Sequence, residues 1–135
     1  MAGTEHPNVT LVREGFEAMD QGDVGWMQEH LADDVVWHMG GNNSMSGEYR
    51  GKDRVMQTLG AMGSGETMSA SVHDIVGNDE HVVVLGTAKV TASDGDAVEY
   101  NFVNVFHIQD GKATEVWGMS EDDSKTDPIF DKLGG

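Results

Sequence analysis

The chain contains no cysteine. A disulfide scaffold, a thiolate metal site and a cysteine nucleophile are thereby excluded. Proline is almost absent as well: Pro7 and Pro128 bracket the periodic part of the chain. Basic residues are scarce, with 8 Lys and Arg against 24 Asp and Glu, for a formal net charge of −16. A surface that acidic repels phosphate backbones and anionic lipid, which are bound through clustered Lys or Arg. Nucleic acid and membrane surfaces are therefore not expected as partners. No apolar run approaches the roughly 20 residues of a membrane helix. The start, Met1-Ala2-Gly3-Thr4-Glu5-His6, lacks the basic and apolar stretches of a signal peptide. The expectation is a cytoplasmic protein.

What is present is enough for one core. The chain has 135 residues, 38% of them hydrophobic, and a folded domain of that length has a radius of gyration of roughly 14 Å. It is too short for a barrel of eight βα units. The carboxylates are dispersed rather than gathered in a tail, which reads as solubility and also fits a salt-adapted host. No repeat or low-complexity segment appears. A single domain spans residues 1–135, with a core over about 8–120 and an acidic tail over 121–135.

Periodicity orders the elements. Val9, Val12, Phe16 and Met19 form one helical stripe between Asn8 and Gln21, with Asn8 or Thr10 as the cap and Gly22 as the stop. Asp23 caps a second, short helix over 24–31. Ala32-Asp33-Asp34 reads as a turn, and Val35 to Met39 as a strand. The glycine-rich stretch 40–51 reads as a loop forming a lip, with Tyr49 or Arg50 at its rim. Val55, Met56, Leu59 and Met62 mark a third helix over 52–62, and 63–67 breaks it. The remainder reads as antiparallel strands over 68–76, 80–91, 97–108 and 113–120. They are joined by turns that include Asp94-Gly95 and Asp110-Gly111, both hairpin signals. Helices first and a meander of long strands second is an α+β layout. A curved antiparallel sheet wrapped around three helices would enclose a cone with one open end, a natural small-molecule pocket.

The order of these elements, together with Gly22-Asp23, Ala32-Asp33-Asp34-Val35, Gly47-x-Tyr49-x-Gly51, Asp110-Gly111-Lys112 and Glu115-x-Trp117, resembles the nuclear transport factor 2-like superfold. More narrowly it is similar to the SnoaL-like group, relatives of polyketide cyclases and ketosteroid isomerases. The resemblance covers residues 8 to 120. It implies a cone-shaped cystatin-like roll, a homodimer and a ligand in the cone. It leaves the reaction open, because one superfold hosts many chemistries.

Carried over by position, the general-base Asp of the steroid isomerases falls on Met39, beside His38. Their oxyanion-hole acid falls on Asn104, and their oxyanion Tyr falls near Gly15. The acid/base Asp of polyketide cyclases and limonene-type epoxide hydrolases falls at about Gly118, next to Trp117. The further Asp of the epoxide hydrolases has its nearest counterpart in Asp74, with no Arg beside it. The acid/base apparatus of all three enzyme types is thus missing or moved.

Two residues remain as catalytic candidates. His38 can exchange a proton near neutral pH. Strand alternation turns it away from the cone if Trp37 and Met39 point in, and a one-residue slip reverses this. Asn104 shares a strand face with Phe102 and Phe106, and a buried amide there needs a partner, either a ligand or a neighbouring group. Trp26, Trp37, Met39, Tyr49, Phe102, Phe106, Trp117 and Met119 are candidate substrate-binding residues. His107 is on the opposite strand face, and His73 and Asp74 point apart. His38, His73 and His107 sit on three strands with no ligand spacing, so no metal and no cofactor is expected.

Three functional readings follow. The first is a small enzyme taking an apolar cyclic or polyketide-like carbonyl compound through isomerisation, cyclisation or dehydration. In it His38 moves the proton and Asn104 steadies the oxyanion. The second is a non-catalytic binder of a small hydrophobic molecule. The third is a dimerisation module with a filled cone.

Overall fold

The computed structural model describes residues 5–61 and 68–134. The expected breaker 63–67 and Met62 lie outside them. The chain runs α1 (Pro7–Asp20), α2 (Gly25–His30), β1 (Leu31–Met39), β2 (Gly47–Arg50), α3 (Lys52–Ala61), β3 (Met68–Gly77), β4 (His81–Thr91), β5 (Ala97–Gln109), β6 (Lys112–Ser120) and α4 (Asp123–Gly134). One six-stranded sheet has the order β2-β1-β6-β5-β4-β3. Every neighbouring pair is antiparallel except β1 and β6, which run parallel.

The α+β architecture holds, with three corrections to the strands. The sheet is mixed, because β1 precedes the meander and is joined to it edge to edge by the last strand. Ala32-Asp33-Asp34 is not a turn but the opening of β1. There Leu31 pairs with Ala113 and Val36 with Glu115, so β1 bulges while Leu31 and Val35 stay fully buried. Part of the glycine-rich loop is β2, an edge strand paired from Val36–Arg50 to Met39–Gly47.

The acidic tail is the fourth helix. Asp122 Oδ1 accepts from the Ser124 amide at 3.1 Å and from its hydroxyl at 2.6 Å, an N-terminal cap. Ile129 and Phe130 are buried, and Phe130 meets Tyr100 edge to face with centroids 6.1 Å apart. At the other end of the chain α1 begins where His6 Nδ1, rather than Asn8 or Thr10, accepts the Asn8 amide. Asp23 Oδ1 accepts the Gly25 amide at 2.8 Å as α2 opens.

Two strand details aim side chains. The β5–β6 hairpin closes through Asp110 (φ 53°) and Gly111 (φ 74°), the two left-handed residues of a tight two-residue turn. In β3 the register shifts at His73: Val72 faces Gly86, and Asp74 faces Leu85. The extra residue keeps both Val72 and Ile75 on the inner face. That face, with Val82, Val84, Ala88, Val90, Phe102, Phe106 and Val116, packs on Val9, Val12, Met27 and Val55 of the first three helices.

Candidate functional site

The concave side of the sheet is not filled to its end. A cavity of about 360 Å³ opens between the C-terminal half of α1, the ends of β1 and β6, the middle of β3–β5, and α4. Its apolar wall comes from Phe16, Met39, Leu59, Met68, Val72, Ala88, Phe102 and Phe130, with Trp37 deeper. Phe16 stacks on Phe102, centroids 6.2 Å apart, and stands edge-on to Phe106 at 6.3 Å. Trp37 stands edge-on to Phe106 as well. The aromatic wall is therefore mutually braced.

Polar side chains line it as well, among them Asn43, Ser69, Asn104, Ser120 and Thr126. Asn104 projects from β5 beside Gly118 of β6, its strand partner. A Cβ at Gly118 would lie 3.3 Å from Asn104 Oδ1 and 3.9 Å from Trp37 Nε1, so the missing side chain leaves a space bordered by both. Tyr100, two residues before Phe102, is 7% exposed, and burial pushes its hydroxyl up to about 12. At neutral pH it is a donor. No described residue hydrogen-bonds to the side chains of Asn104, Trp37 or Tyr100, and no fully enclosed polar atom lacks a partner. All three residues line the cavity, and Trp37 and Asn104 also border a smaller void behind Phe16. Glu17 and Asp20 of α1 and Asp123 of α4 sit at its mouth, all exposed.

α4 and the loop before β2 form one side of this mouth together. Asp127 Oδ1 accepts from the Asn42 amide at 3.0 Å and from Asn43 Nδ2 at 2.7 Å, and Asp131 Oδ1 accepts from the Ser44 amide at 2.7 Å. Lys132 reaches the β4–β5 turn, donating to Asp94 at 2.8 Å and to Asp96.

Of the residues singled out from sequence, Met119, one residue beyond Gly118 and off its strand parity, borders this cavity only at the edge, while Trp37, Met39, Phe102 and Asn104 line it. So do Met39, Asn104 and Gly118 as positions, the places where the resemblance puts the enzymes' acids. His38 does not. With Trp37 inward, alternation turns His38 to the outer face, where its partners in register are Trp117 and Glu48. Its ring stacks on Trp117 at 5.3 Å, and its Nε2 lies 2.6 Å from Glu115 Oε2. A proton-transfer role for His38 in the cavity is thereby overturned, and Trp117 leaves the ligand wall with it.

Tyr49 is also outside the cavity: its hydroxyl donates to the Met45 carbonyl at 2.7 Å, and Arg54 covers its ring. Trp26 and Phe106 border a separate small void of about 40 Å³ behind Phe16. Trp26 Nε1 donates to the Leu11 carbonyl at 3.0 Å, and its ring fills the space a side chain at Gly15 would need. Tyr100, Glu17, Asp20, Asp123 and Phe130 escaped the sequence reading. Tyr100 was findable, since 100, 102, 104 and 106 share one strand parity.

A SnoaL-like domain model matches residues 12–116. The chain belongs to that family. Over 129 residues it is 24% identical to the uncharacterized protein Rv0034 of Mycobacterium tuberculosis, covering 94% of this chain and 98% of that one. Among solved structures it is similar to a nuclear transport factor 2-like protein of unknown function from Burkholderia pseudomallei. That match has a TM-score of 0.78 and 26% identity, over 90% of this chain and 95% of the other. It shares its fold with IdmH of Streptomyces antibioticus, a proposed polyketide cyclase, with a TM-score of 0.71 and 23% identity over 96% and 100% of the two chains.

Proposed function

We propose that this protein binds a small, mostly apolar molecule in the cavity and holds one oxygen of it with Asn104 and Trp37, with Tyr100 as a further donor. The observation that supports the reading is the contrast inside the cavity: a braced aromatic wall, and Asn104, Trp37 and Tyr100, whose side chains have no hydrogen-bond partner among the described residues. An unmet donor in an apolar site weakens the protein unless water or a ligand meets it. With His38 on the other face, no His lines the cavity among the described residues. This favours binding over proton-transfer chemistry.

A second reading keeps the enzyme. Asn104 and the Trp37 N–H border the same space over Gly118, as a pair serving a developing oxyanion would. In that reading the proton goes to a carboxylate at the mouth, because Tyr100 at about 12 is no base near neutral pH. The two readings separate on one ligand, 4-acetylbiphenyl. Binding raises the melting temperature by mass action. Ketone recovered unchanged supports the binder, and a converted or deuterium-exchanged α-methyl in heavy water supports the enzyme. No melting shift and no Trp quenching overturns both.

We also propose that two copies pair through the outer face of the sheet. Cross-strand partners there form two apolar rows, Leu85–Val103–Met119 and Val83–Val105–Trp117. Leu85 and Met119 are 40% and 44% exposed. A contiguous apolar patch of that kind on a chain this charged marks an interface.

A further inference from the structure

The proposed ligand must pass a mouth of one sign. Glu17, Asp20 and Asp123 line it, and among the described residues none of the three has a hydrogen-bonded or ion-paired side-chain partner. No Lys, Arg or His lines the cavity. Residues 1–4, 62–67 and 135, outside the described set, contain none either. The cations closest in sequence have their contacts with other carboxylates, Arg13 with Glu5 at 2.6 Å, Lys125 with Glu121 at 4.0 Å and Lys132 with Asp94 at 2.8 Å, while Arg13, one turn before Glu17, also acts on Glu17 through its charge. Inside, Trp37 and Tyr100 are at least nine-tenths buried and carry polar atoms with no described partner, which marks the cavity as built for a guest independently of its rim.

We infer that the cavity selects its guest by charge: an apolar body bearing a protonated amine, the body against Phe16, Trp37 and Phe102 and the ammonium at the mouth among Glu17, Asp20 and Asp123. The inference rests on the ligand-binding reading above and names the class of ligand. Low-dielectric walls focus the field of the three carboxylates at the opening, where no cation lines the cavity and the charge of Arg13 reaches, of the three, only Glu17 from one turn away. A carboxylate or phosphate ester on the same body meets three like charges and finds no basic residue to pair with. Neutral compounds fall between.

The test uses three probes on one skeleton: 4-phenylbenzylamine, 4-phenylbenzyl alcohol and biphenyl-4-carboxylate. Their affinities are measured by calorimetry on the whole protein at neutral pH, at low and high salt. The amine is expected to bind about ten-fold more tightly than the alcohol at low salt, with the carboxylate weakest and the gap closing as salt screens it. In the near-isosteric Glu17→Gln/Asp20→Asn/Asp123→Asn variant the preference should collapse with alcohol binding kept. In the charge-matched Asp34→Asn/Glu80→Gln/Glu99→Gln control it should persist. Equal or tighter binding of the alcohol to the unaltered protein overturns the charge selection and leaves the pocket standing. A preference that survives the rim variant traces to overall charge and overturns the assignment to the mouth. Failure of all three probes to bind overturns the pocket reading itself.

Discussion

At Gly118 a side chain would enter the space that Asn104 and Trp37 border, so the site depends on what is missing there as much as on what is present. Replacing Asn104 by Leu removes the amide and keeps the branched shape. Binding of 4-acetylbiphenyl is expected to weaken about ten-fold, the worth of one lost hydrogen bond in an apolar site. His38→Ala should leave that affinity unchanged, because the imidazole is engaged with Glu115 and Trp117 on the far side of the sheet. A ligand titration of the two variants checks both, and a loss of binding in His38→Ala would contradict the placement.

Tyr100 offers a pH signature. An unfolded tyrosine loses its proton near 10, while the buried hydroxyl keeps it to about 12. Between those values the unfolded state holds fewer protons than the folded one, so stability falls as pH rises. The full contribution is present below pH 10 and is gone above about 12, and two units correspond to about 2 to 3 kcal/mol. Tyr100→Phe should show a flatter alkaline decline, read from urea unfolding across that window.

Among the elements, α4 carries the clearest test. It supplies Phe130 and Asp123 to the cavity, and its Asp127 and Asp131 hold the loop before β2. Phe130→Ala should cost about 3 kcal/mol or more, as large-to-small core changes do, and enlarge the cavity toward solvent. Thermal unfolding measures the first effect, and faster ligand dissociation the second. This is also the helix that sequence reasoning left as a tail. Pro128 inside it and the dense acids around it conceal a stripe of only Ile129, Phe130 and Leu133, and its partner, the face of Tyr100, is far away in sequence. The opening of β1 was concealed for a related reason. Asp33 and Asp34 sit in a bulge, where turn-like residues are tolerated inside a strand. The β5–β6 hairpin was legible to within one residue at each strand end, because Asp110-Gly111 states its own backbone geometry. Asn104 was legible by parity with Phe102 and Phe106. The face of His38 was not, since alternation fixes a face only relative to a neighbour whose direction is already known.

For the whole molecule, charge and apolar surface divide the work. The −16 net charge keeps molecules apart in general, and the outer-face rows of Val, Leu, Met and Trp oppose this in one place. Leu85→Arg, at the β4 end of that patch, should convert the proposed dimer to a monomer in sedimentation, with little change in melting temperature at matched monomer content. Unaltered dimer mass would remove the outer face as the interface. By screening that net charge, added salt should stabilise the fold and the proposed dimer alike.

The position of β6 has one more consequence. It is the last strand in the chain, yet it lies between β1 and β5 and alone joins them. While the ribosome is still making residues 112–120, the sheet exists only as two pieces, β1 with β2 and β3 through β5, that share no backbone hydrogen bonds. The floor of the cavity at Asn104 and Gly118 is absent at that stage. A chain at that stage has Asn104 but not the Gly118 strand beside it, so the proposed ligand would meet an unfinished site. Truncations that end before β6 should accumulate as chaperone clients whether or not ligand is supplied.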